Sequence, residues 1–508
     1  MLSSQLCCVL ALWLAIPAAA QTVVRQFGPS GAVACIRDVD GDGSDEVVLA
    51  DPVGSATAGT VRVHSGRTGA VLHVLQPGPQ PNRYATCIAG VGDADGDGFD
   101  DVAVGIPRDA YVSPDSGHLY VWSGRTGTLL WHRVGRSWLS FARSVHGAGD
   151  VNADGFDDVV VGNRDDSNSG DAIVCSGRDG HVLWARSSPH GHDDYGASVA
   201  GIGDVNGDGF DDVIVGFPTL GSNSIGSHVG GAEVLSGRDG RVMHLLIGHS
   251  SDDYFGSTVQ GIGDIDADLV PDFIIGASSY AETVRGGTFQ LGWYFAGSIR
   301  SAVGVGDIDG DGHADVAVAD GAVRVLSGST RSDLTIIPDP ATWIAAGDIN
   351  GDGHTDLVSG GPNGCFAYDL GVPGHPGRIR RAGVGCIGSN AHLPRARYQG
   401  SPLVGHAIRL TLRGAQPLRG AVLNLGGPVN VPLGSVGMSG CTLLAGTGWF
   451  NFPFFTDAFG MTLPGPIMIP GDPSLVGATL SAQWACLDAN ANSVGITLSD
   501  GILIEIGG

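Results

Sequence analysis

Short apolar runs recur over the first 370 residues of the chain, and each run is bounded by glycine, aspartate or serine. Examples are VAGIG at 199–203, VIVG at 213–216 and VMHLLIG at 242–248. Runs of about four to eight residues that are rich in β-branched side chains and closed by turn formers are typical of strands. Because no segment shows a sustained helical period, the pattern predicts an all-β chain.

The apolar runs are arranged in groups of four. An aspartate-rich loop follows the first run of each group, and a turn of the form S-G-R-[TD]-G joins the third run to the fourth in four groups. These turns begin at Ser65, Ser123, Ser176 and Ser236. Four strands in a unit of about 40–60 residues indicate a propeller blade.

The loop string D-x-[DN]-x-D-x-x-x-[DE] occurs seven times, with successive starts 55, 57, 54, 60, 43 and 41 residues apart. Seven copies predict a seven-bladed β-propeller over residues 21–372. The seventh group lacks a fourth run. Val23–Phe27 resembles a fourth strand and precedes the first loop. We therefore expect it to complete the seventh blade, which removes an open sheet edge.

The loop residues have the chemistry of calcium ligands. Calcium prefers six to eight oxygen ligands at about 2.3–2.6 Å and tolerates irregular geometry. Positions 1, 3, 5 and 9 of each loop offer side-chain oxygens, position 7 offers a carbonyl, and glycine at position 6 permits a positive φ. The sequence predicts six to seven structural Ca²⁺ sites. The candidate ligands are Asp38, Asp40, Asp42, Ser44, Glu46, Asp93, Asp95, Asp97, Phe99, Asp101, Asp150, Asn152, Asp154, Phe156, Asp158, Asp204, Asn206, Asp208, Phe210, Asp212, Asp264, Asp266, Asp268, Asp272, Asp307, Asp309, Asp311, His313, Asp315, Asp348, Asn350, Asp352, His354 and Asp356.

The fifth loop departs from this pattern. Leu269 replaces the glycine at position 6, and Pro271 occupies position 8. This loop is therefore expected to be the least suited to a metal ion. The first loop ends in Glu46 instead of aspartate, and its carboxylate is still expected to act as a ligand.

The region 22–372 resembles the FG-GAP repeat family, whose best-known members are the α-subunit propellers of integrins. An aromatic residue lies nine positions before the first loop aspartate in four copies: Tyr84, Phe141, Tyr195 and Phe255. Glycine or alanine follows each one, and Phe255 with Gly256 is a literal FG. The resemblance favours an extracellular binding or adhesion protein in which calcium serves structure.

Composition excludes several other functions. The formal net charge is −25, and all 27 basic residues are arginine. The absence of lysine excludes a P-loop and Schiff-base catalysis, and the negative charge argues against a nucleic-acid partner. No catalytic constellation is found, so the protein is not expected to be an enzyme. Two alternatives stay open: a carbohydrate-active enzyme of the polysaccharide-lyase kind, and a glycan-binding lectin.

Residues 1–20 have the features of a secretory signal peptide, with an apolar run that ends in three alanines. We expect a secreted or cell-surface protein. No later stretch reaches the roughly 18 apolar residues that a membrane helix needs.

A turn-rich linker, 373–384, is followed by a second composition type. Residues 373–508 hold eight arginines and five acidic residues, a net charge of +3, which leaves the propeller region at −28. Alternating runs such as HAIRLTL predict a small β-sandwich over 385–508. Cys386 and Cys441 could pair there.

The partner is expected to be an extracellular protein or glycan. Strand direction alternates, so two kinds of connection should lie on the face opposite the aspartate loops: those between the second and third strands, and those from the fourth strand to the first strand of the next blade. The ligand-face candidates there are Arg108, Tyr111, Trp138, Arg164, Tyr280 and Arg285.

Overall fold

The computed structural model describes most of the propeller region and part of the remainder. The described residues are 22–51, 59–77, 87–107, 116–135, 139–165, 170–188, 191, 193–221, 226–361, 364–371, 378–382, 394–400, 406–415, 418–426, 428–432, 442–445, 450–456, 461–462, 466–470, 473–492 and 496–506. The expected signal peptide and the pair Cys386 and Cys441 lie outside these residues.

Seven four-stranded antiparallel sheets form the propeller, as the sequence predicts. Blade 1 contains β2 (Ala32–Ile36), β3 (Glu46–Ala50), β4 (Val61–His64) and β5 (Val71–Leu75). Blade 2 contains β6 (Cys87–Gly90), β7 (Val102–Ile106), β8 (His118–Trp122) and β9 (Leu129–Val134). Blade 3 contains β10 (Leu139–Gly149), β11 (Asp158–Asp165), β12 (Gly170–Cys175) and β13 (Val182–Ser187).

The next three blades repeat this order. Blade 4 contains β14 (Ser198–Gly203), β15 (Asp212–Phe217), β16 (Gly231–Leu235) and β17 (Val242–Ile247). Blade 5 contains β18 (Thr258–Gly263), β19 (Asp272–Gly276), β20 (Tyr280–Val284) and β21 (Leu291–Ala296). Blade 6 contains β22 (Ser301–Gly306), β23 (Asp315–Ala319), β24 (Val323–Leu326) and β25 (Asp333–Ile337).

The seventh blade joins the two ends of the propeller. It contains β26 (Trp343–Gly347), β27 (Asp356–Gly361), β28 (Gly364–Asp369) and, as its outer strand, β1 (Val23–Phe27). Strand β1 pairs antiparallel with β28, with Val23 opposite Tyr368 and Phe27 opposite Cys365. The prediction that the amino-terminal segment completes this blade is confirmed.

The first strand of each blade lines the propeller axis. Residues of β2, β6, β10, β14, β18, β22 and β26 surround an axial cavity of about 430 Å³. The second strands are buried on both sides: β3, β7, β15, β19 and β23 have every residue buried. Apolar clusters lie between neighbouring blades, which is why the second strands are apolar along their whole length.

The C-terminal region forms a sandwich of two main sheets. One sheet has the order β29-β38-β37-β32-β35, the other is β30-β31-β36, and β33 pairs with β34. The two main sheets share a buried core that includes Leu410, Leu412, Leu423, Trp484 and Ile502. The strands are β29 (Arg378–Ala382), β30 (Arg395–Gly400), β31 (Ala407–Arg413), β32 (Gly420–Gly426), β33 (Pro428–Pro432), β34 (Thr442–Ala445), β35 (Phe450–Phe455), β36 (Ile467–Met468), β37 (Thr479–Leu487) and β38 (Ile496–Glu505), with one 3-10 turn at Pro473–Leu475.

This C-terminal module packs against the face of the propeller that carries the aspartate loops. Met461 is 2 % exposed and packs with Ala153 of the third loop and Phe210 of the fourth. The His406 ring lies beside Gly312 of the sixth loop. The module therefore covers loops of several blades on one face of the propeller.

Candidate metal centres in the seven loops

Each aspartate loop joins the first and second strands of its blade. We number them loop 1 (38–46), loop 2 (93–101), loop 3 (150–158), loop 4 (204–212), loop 5 (264–272), loop 6 (307–315) and loop 7 (348–356). All of the predicted metal-ligand residues fall in these loops, within the described part of the chain. Because the strand order is the same in every blade, the loops lie on one face of the propeller.

Backbone N–H groups fix the side chains at positions 1, 3 and 5. In loop 4 the carboxylate of Asp204 accepts hydrogen bonds from the N–H groups of Asp208, at 3.1 Å, and Gly209, at 2.8 Å. Asn206 Oδ1 accepts from the Asp208 N–H at 2.7 Å, and Asp208 Oδ1 accepts from the Phe210 N–H at 3.1 Å. These bonds turn the loop tightly and hold its oxygen atoms close together.

Two positions of each loop need a left-handed backbone. Gly207 and Gly209, at positions 4 and 6 of loop 4, have φ values of 74° and 89°. The sequence predicted this requirement at position 6 only. Ala153 has φ 59° at position 4 of loop 3, while loop 5 carries Ala267 at 63° and Leu269 at 67°. A side chain in this region costs about 1–2 kcal/mol, so loop 5 is the most strained of the seven.

The carboxylate at position 9 ties its loop to the next hairpin. Asp212 Oδ2 accepts from the N–H of Val205 and Asp212 Oδ1 from the N–H of Gly237, both at 3.1 Å. Gly237 belongs to the S-G-R-D-G turn of the same blade. Loops 2, 3, 5 and 6 make the corresponding bond to Gly124, Gly177, Gly286 and Gly328. The turn motif thus has a structural role at the loop.

Loops 1 and 7 retain a buried carboxylate oxygen that the other protein groups described do not satisfy. Glu46 and Asp356 are both 0 % exposed, and Glu46 Oε1 and Asp356 Oδ1 have no hydrogen-bond partner among the described residues. Leaving such an atom unpaired costs about 1–3 kcal/mol or more. A bound cation would supply the missing partner.

The acidic side chains of several loops converge closely enough to share one ion. Ligand oxygens lie within 4.8 Å of one another in loop 1 (Asp38, Asp40, Asp42, Glu46), loop 2 (Asp93, Asp95, Asp101), loop 5 (Asp264, Asp266, Asp272) and loop 6 (Asp307, Asp309, Asp311). Loops 3, 4 and 7 have asparagine at position 3, which contributes an amide oxygen instead of a carboxylate. An all-oxygen set of this kind fits a hard divalent cation.

Burial makes the charged form of these carboxylates costly. Burial, with a further contribution from neighbouring carboxylates, raises the pKa of Glu46 to about 9 and the pKa values of Asp212 and Asp356 to about 8. The same causes raise the pKa values of Asp272 and Asp315 to about 7. A cation bound among ionised carboxylates offsets both effects.

The aspartate at position 8, which sequence reasoning did not single out, joins one blade to the next. Asp157 Oδ2 accepts from the N–H of Asp93 at 3.0 Å, and Asp211 Oδ2 accepts from the N–H of Asp150 at 2.9 Å. Asp45 makes the same bond to the start of loop 7 at 2.8 Å. The only sequence signal is the first acid in the pairs DE and DD of loops 1 to 4, which the other three loops lack at this position.

Loop 5 keeps the frame of the other loops despite its substitutions. Asp264 Oδ2 accepts from the N–H of Leu269 at 2.7 Å, and Asp272 accepts from Ile265 at 2.9 Å. Arg285 Nε lies 3.3 Å from Asp266 Oδ2, which supplies part of the positive charge that a metal ion would supply.

Two ligand-face assignments are wrong. Arg285 lies on the loop face, beside Asp266, because β20 ends at Val284 and Arg285 opens the turn that follows. Tyr280 is 4 % exposed, and its hydroxyl donates to Asp253 Oδ2 at 3.0 Å, so it is a packed core residue. Arg108, Tyr111, Trp138 and the side chain of Arg164 lie outside the described part of the chain.

Sequence reasoning also missed that arginines of the C-terminal module reach the loops. Arg395, Arg397 and Arg413 contact acidic residues of loops 2, 3 and 4. The signal was the spacing of the arginines in RAR (395–397) and RLTLR (409–413), which places them on one face of each strand.

Comparison with known proteins is consistent with this geometry. The FG-GAP repeat model matches residues 195–232 and 341–370, which include loops 4 and 7. Integrin alpha pat-2 of Caenorhabditis briggsae is 30% identical over 224 residues, which cover 38% of this chain and 18% of the relative. Integrin alpha-8 of Homo sapiens is 26% identical over 222 residues, or 40% of this chain and 20% of the relative.

The fold and loops define a β-propeller with acidic loop clusters suited to a divalent cation. The chain carries FG-GAP repeats and is similar in sequence to integrin α chains. The matched region spans about a fifth of the length of these integrin chains. Among the described residues, no helix is long and apolar enough to cross a membrane.

Proposed function

We propose that this protein is a secreted, non-enzymatic binding or adhesion protein whose propeller is stabilised by calcium. Its partner is an extracellular macromolecule. The similarity to integrin α chains supports the adhesion class, and the expected signal peptide supports secretion. The observation that carries the proposal is that the carboxylates at positions 1 and 9 accept hydrogen bonds from backbone N–H groups of the loop and of the turn in the same blade. An ion held by these carboxylates would therefore serve structure.

Calcium is the ion that the donor set favours. The predicted ligands are all oxygen atoms, and the loops differ in their position 3 residue and in the length of the position 9 side chain. Calcium accepts this variation, whereas magnesium requires near-ideal octahedral geometry. The buried oxygens of Glu46 and Asp356 without hydrogen-bond partners among the described residues favour a cation in loops 1 and 7, and Asp266 Oδ1 in loop 5 has the same property.

The partner would bind on the face opposite the loops. The C-terminal module covers loops 2 to 4 at Arg395, Arg413 and Met461, so part of the loop face is occupied within the chain. The axial cavity is lined near the opposite face by the exposed residues Arg300 and Trp343, which stand at the start of β22 and β26. Arginine and tryptophan are enriched among residues that anchor interfaces.

A glycan is a second candidate partner, because Trp343 is 39 % exposed and lines the cavity. An exposed aromatic ring beside polar groups is a suitable surface for stacking against a sugar. Under this hypothesis the glycan binds at the same face and cavity, and only the class of partner differs.

An array of extracellular matrix proteins and glycans, probed with the labelled full chain in calcium, tests the proposal. We expect binding that Trp343→Ala and Arg300→Gln both weaken. Tyr294→Ala, which removes a 61 % exposed aromatic ring from an outer strand, is the matched control and should leave binding unchanged. Binding that survives both cavity variants, or that falls equally with the control, contradicts the proposed face.

A further inference from the structure

Four arginines of the C-terminal module share one face of the β30–β31 hairpin. Arg395 is paired with Arg413 across the two strands, and residue 399 is paired with Arg409. Because side chains alternate along a strand, Arg397 lies on this same face. Alternate residues, Leu410 among them, are buried in the core of the module. We call the side formed by these four residues the arginine face.

Arg395 is inserted between two loops of the propeller. Its Nη2 group forms an ion pair with Asp93, the first residue of loop 2, and its Nε donates to the carbonyl of Gly155 in loop 3 at 2.8 Å. Nη1 lies 3.5 Å from Asp500 of the module. Arg395 and Asp93 are each 1 % exposed, so both charges depend on partners inside the protein.

Two more arginines of this face reach the next loops. Arg397 forms an ion pair with Asp157 of loop 3. Arg413 lies 3.0 Å from Asp211 and 3.9 Å from Asp204, both in loop 4.

Loops 2, 3 and 4 each contact at least one residue of the arginine face, so basic groups of the +3 module meet acidic groups of the propeller.

We propose that the arginine face is a second set of counter-charges for loops 2 to 4, and that its docking is negatively coupled to calcium binding there. Asp93 and Asp204 are predicted calcium ligands and also partners of Arg395 and Arg413. An arginine beside such a carboxylate neutralises part of the loop in the absence of calcium, and its charge opposes a calcium ion that arrives. Coupling of this kind is reciprocal, so calcium weakens the hold of the arginine to the same extent.

Thermal melting of the full chain, with calcium and with chelator, tests this inference, which rests on the calcium binding proposed above. The quantity compared is the calcium shift, the Tm with calcium minus the Tm with chelator. Arg395→Gln should give a larger calcium shift than the wild type, because the calcium-free form loses its counter-charge at loop 2. Arg395→Lys keeps the charge and should retain a shift close to that of the wild type.

Arg419→Gln is the control, because it removes an exposed arginine from the same module and should leave the calcium shift unchanged. A calcium shift in Arg395→Gln equal to that of the control, or smaller, overturns the coupling. If Arg395→Gln does not fold with calcium present, Arg397→Gln, whose side chain is 22 % exposed, decides by the same criterion. A wild type without any calcium shift overturns the calcium proposal itself, which separates the two failures.

Discussion

Asp45 in loop 1 and Asp348 in loop 7 are hydrogen-bonded in both directions. Asp45 Oδ2 accepts from the N–H of Asp348 at 2.8 Å, and the N–H of Asp45 donates to the carbonyl of Asp348 at 2.7 Å. The two residues belong to the first and last blades, so this contact closes the ring at the loop face. Strand β1 completes the last blade at its outer edge.

Asp45→Ala should destabilise the propeller at its closure. The variant removes a carboxylate that accepts from two backbone N–H groups, those of Asp348 and Asp38. We expect a loss of about 1–3 kcal/mol in the free energy of unfolding, measured by denaturant titration in calcium. Asp239→Ala is the control, because exposed Asp239 bonds, among the described residues, only to Arg241 within its own turn. Equal effects of the two variants would contradict a role of Asp45 in closure.

Asp208→Ala in loop 4 should cost more stability than Asp268→Ala in loop 5 when calcium is present. Both carboxylates accept a hydrogen bond from the N–H two residues later, that of Phe210 at 3.1 Å and that of Val270 at 2.8 Å. The pair therefore differs chiefly in the metal site, since Leu269 strains loop 5. Melting curves with chelator should show similar losses for the two variants. A larger loss for Asp268→Ala in calcium would contradict the ranking of the loops.

Without calcium, stability should fall as the pH rises. Burial raises the pKa values of Glu46, Asp212 and Asp356 to about 9, 8 and 8, so the folded state binds more protons than the unfolded chain. Their contribution is fully present below the unfolded pKa values, near 4, and is lost as the pH rises through the folded values. Melting of the calcium-free protein between pH 5 and pH 9 should show a declining Tm.

Saturating calcium should remove most of this decline, because it binds the ionised carboxylates. The gap between the two Tm curves should therefore widen with pH. A calcium-free Tm that rises through the same interval would mean that the carboxylates are not destabilising when ionised.

The repeating elements of the fold could be predicted because a short stretch of sequence identifies each one. The loop aspartates, the apolar strands and the strand-like segment Val23–Phe27 are visible within a few residues, and the structure has them where they were expected. The position 8 contacts could not be predicted in this way. Asp45 and Asp348 are 303 residues apart, and nothing local in either segment identifies the other.

The errors in the ligand face have similar causes. Blade 5 has Arg285-Gly286-Gly287 where four other blades have S-G-R. Without that motif, the sequence does not show where the third strand of blade 5 ends. The sequence pattern predicts Tyr280 in an exposed connection, but Tyr280 begins β20 and stacks on His249. The pairing of Arg395 with Asp93 depends on how the propeller and the C-terminal module pack together. The only sign of that packing in the sequence is the opposite net charge of the two regions.

We expect calcium in the loops to hold the propeller together. Each site that binds the folded state alone adds about 2.7 kcal/mol at a hundredfold excess of calcium over Kd, so several occupied loops together exceed the stability of an ordinary domain.

The most direct measurement is the thermal melting of the full chain in calcium, in magnesium and in chelator. We expect a large rise in Tm with calcium and little recovery with magnesium, which fits the irregular loops poorly. Superimposable melting curves in calcium and in chelator would contradict this expectation.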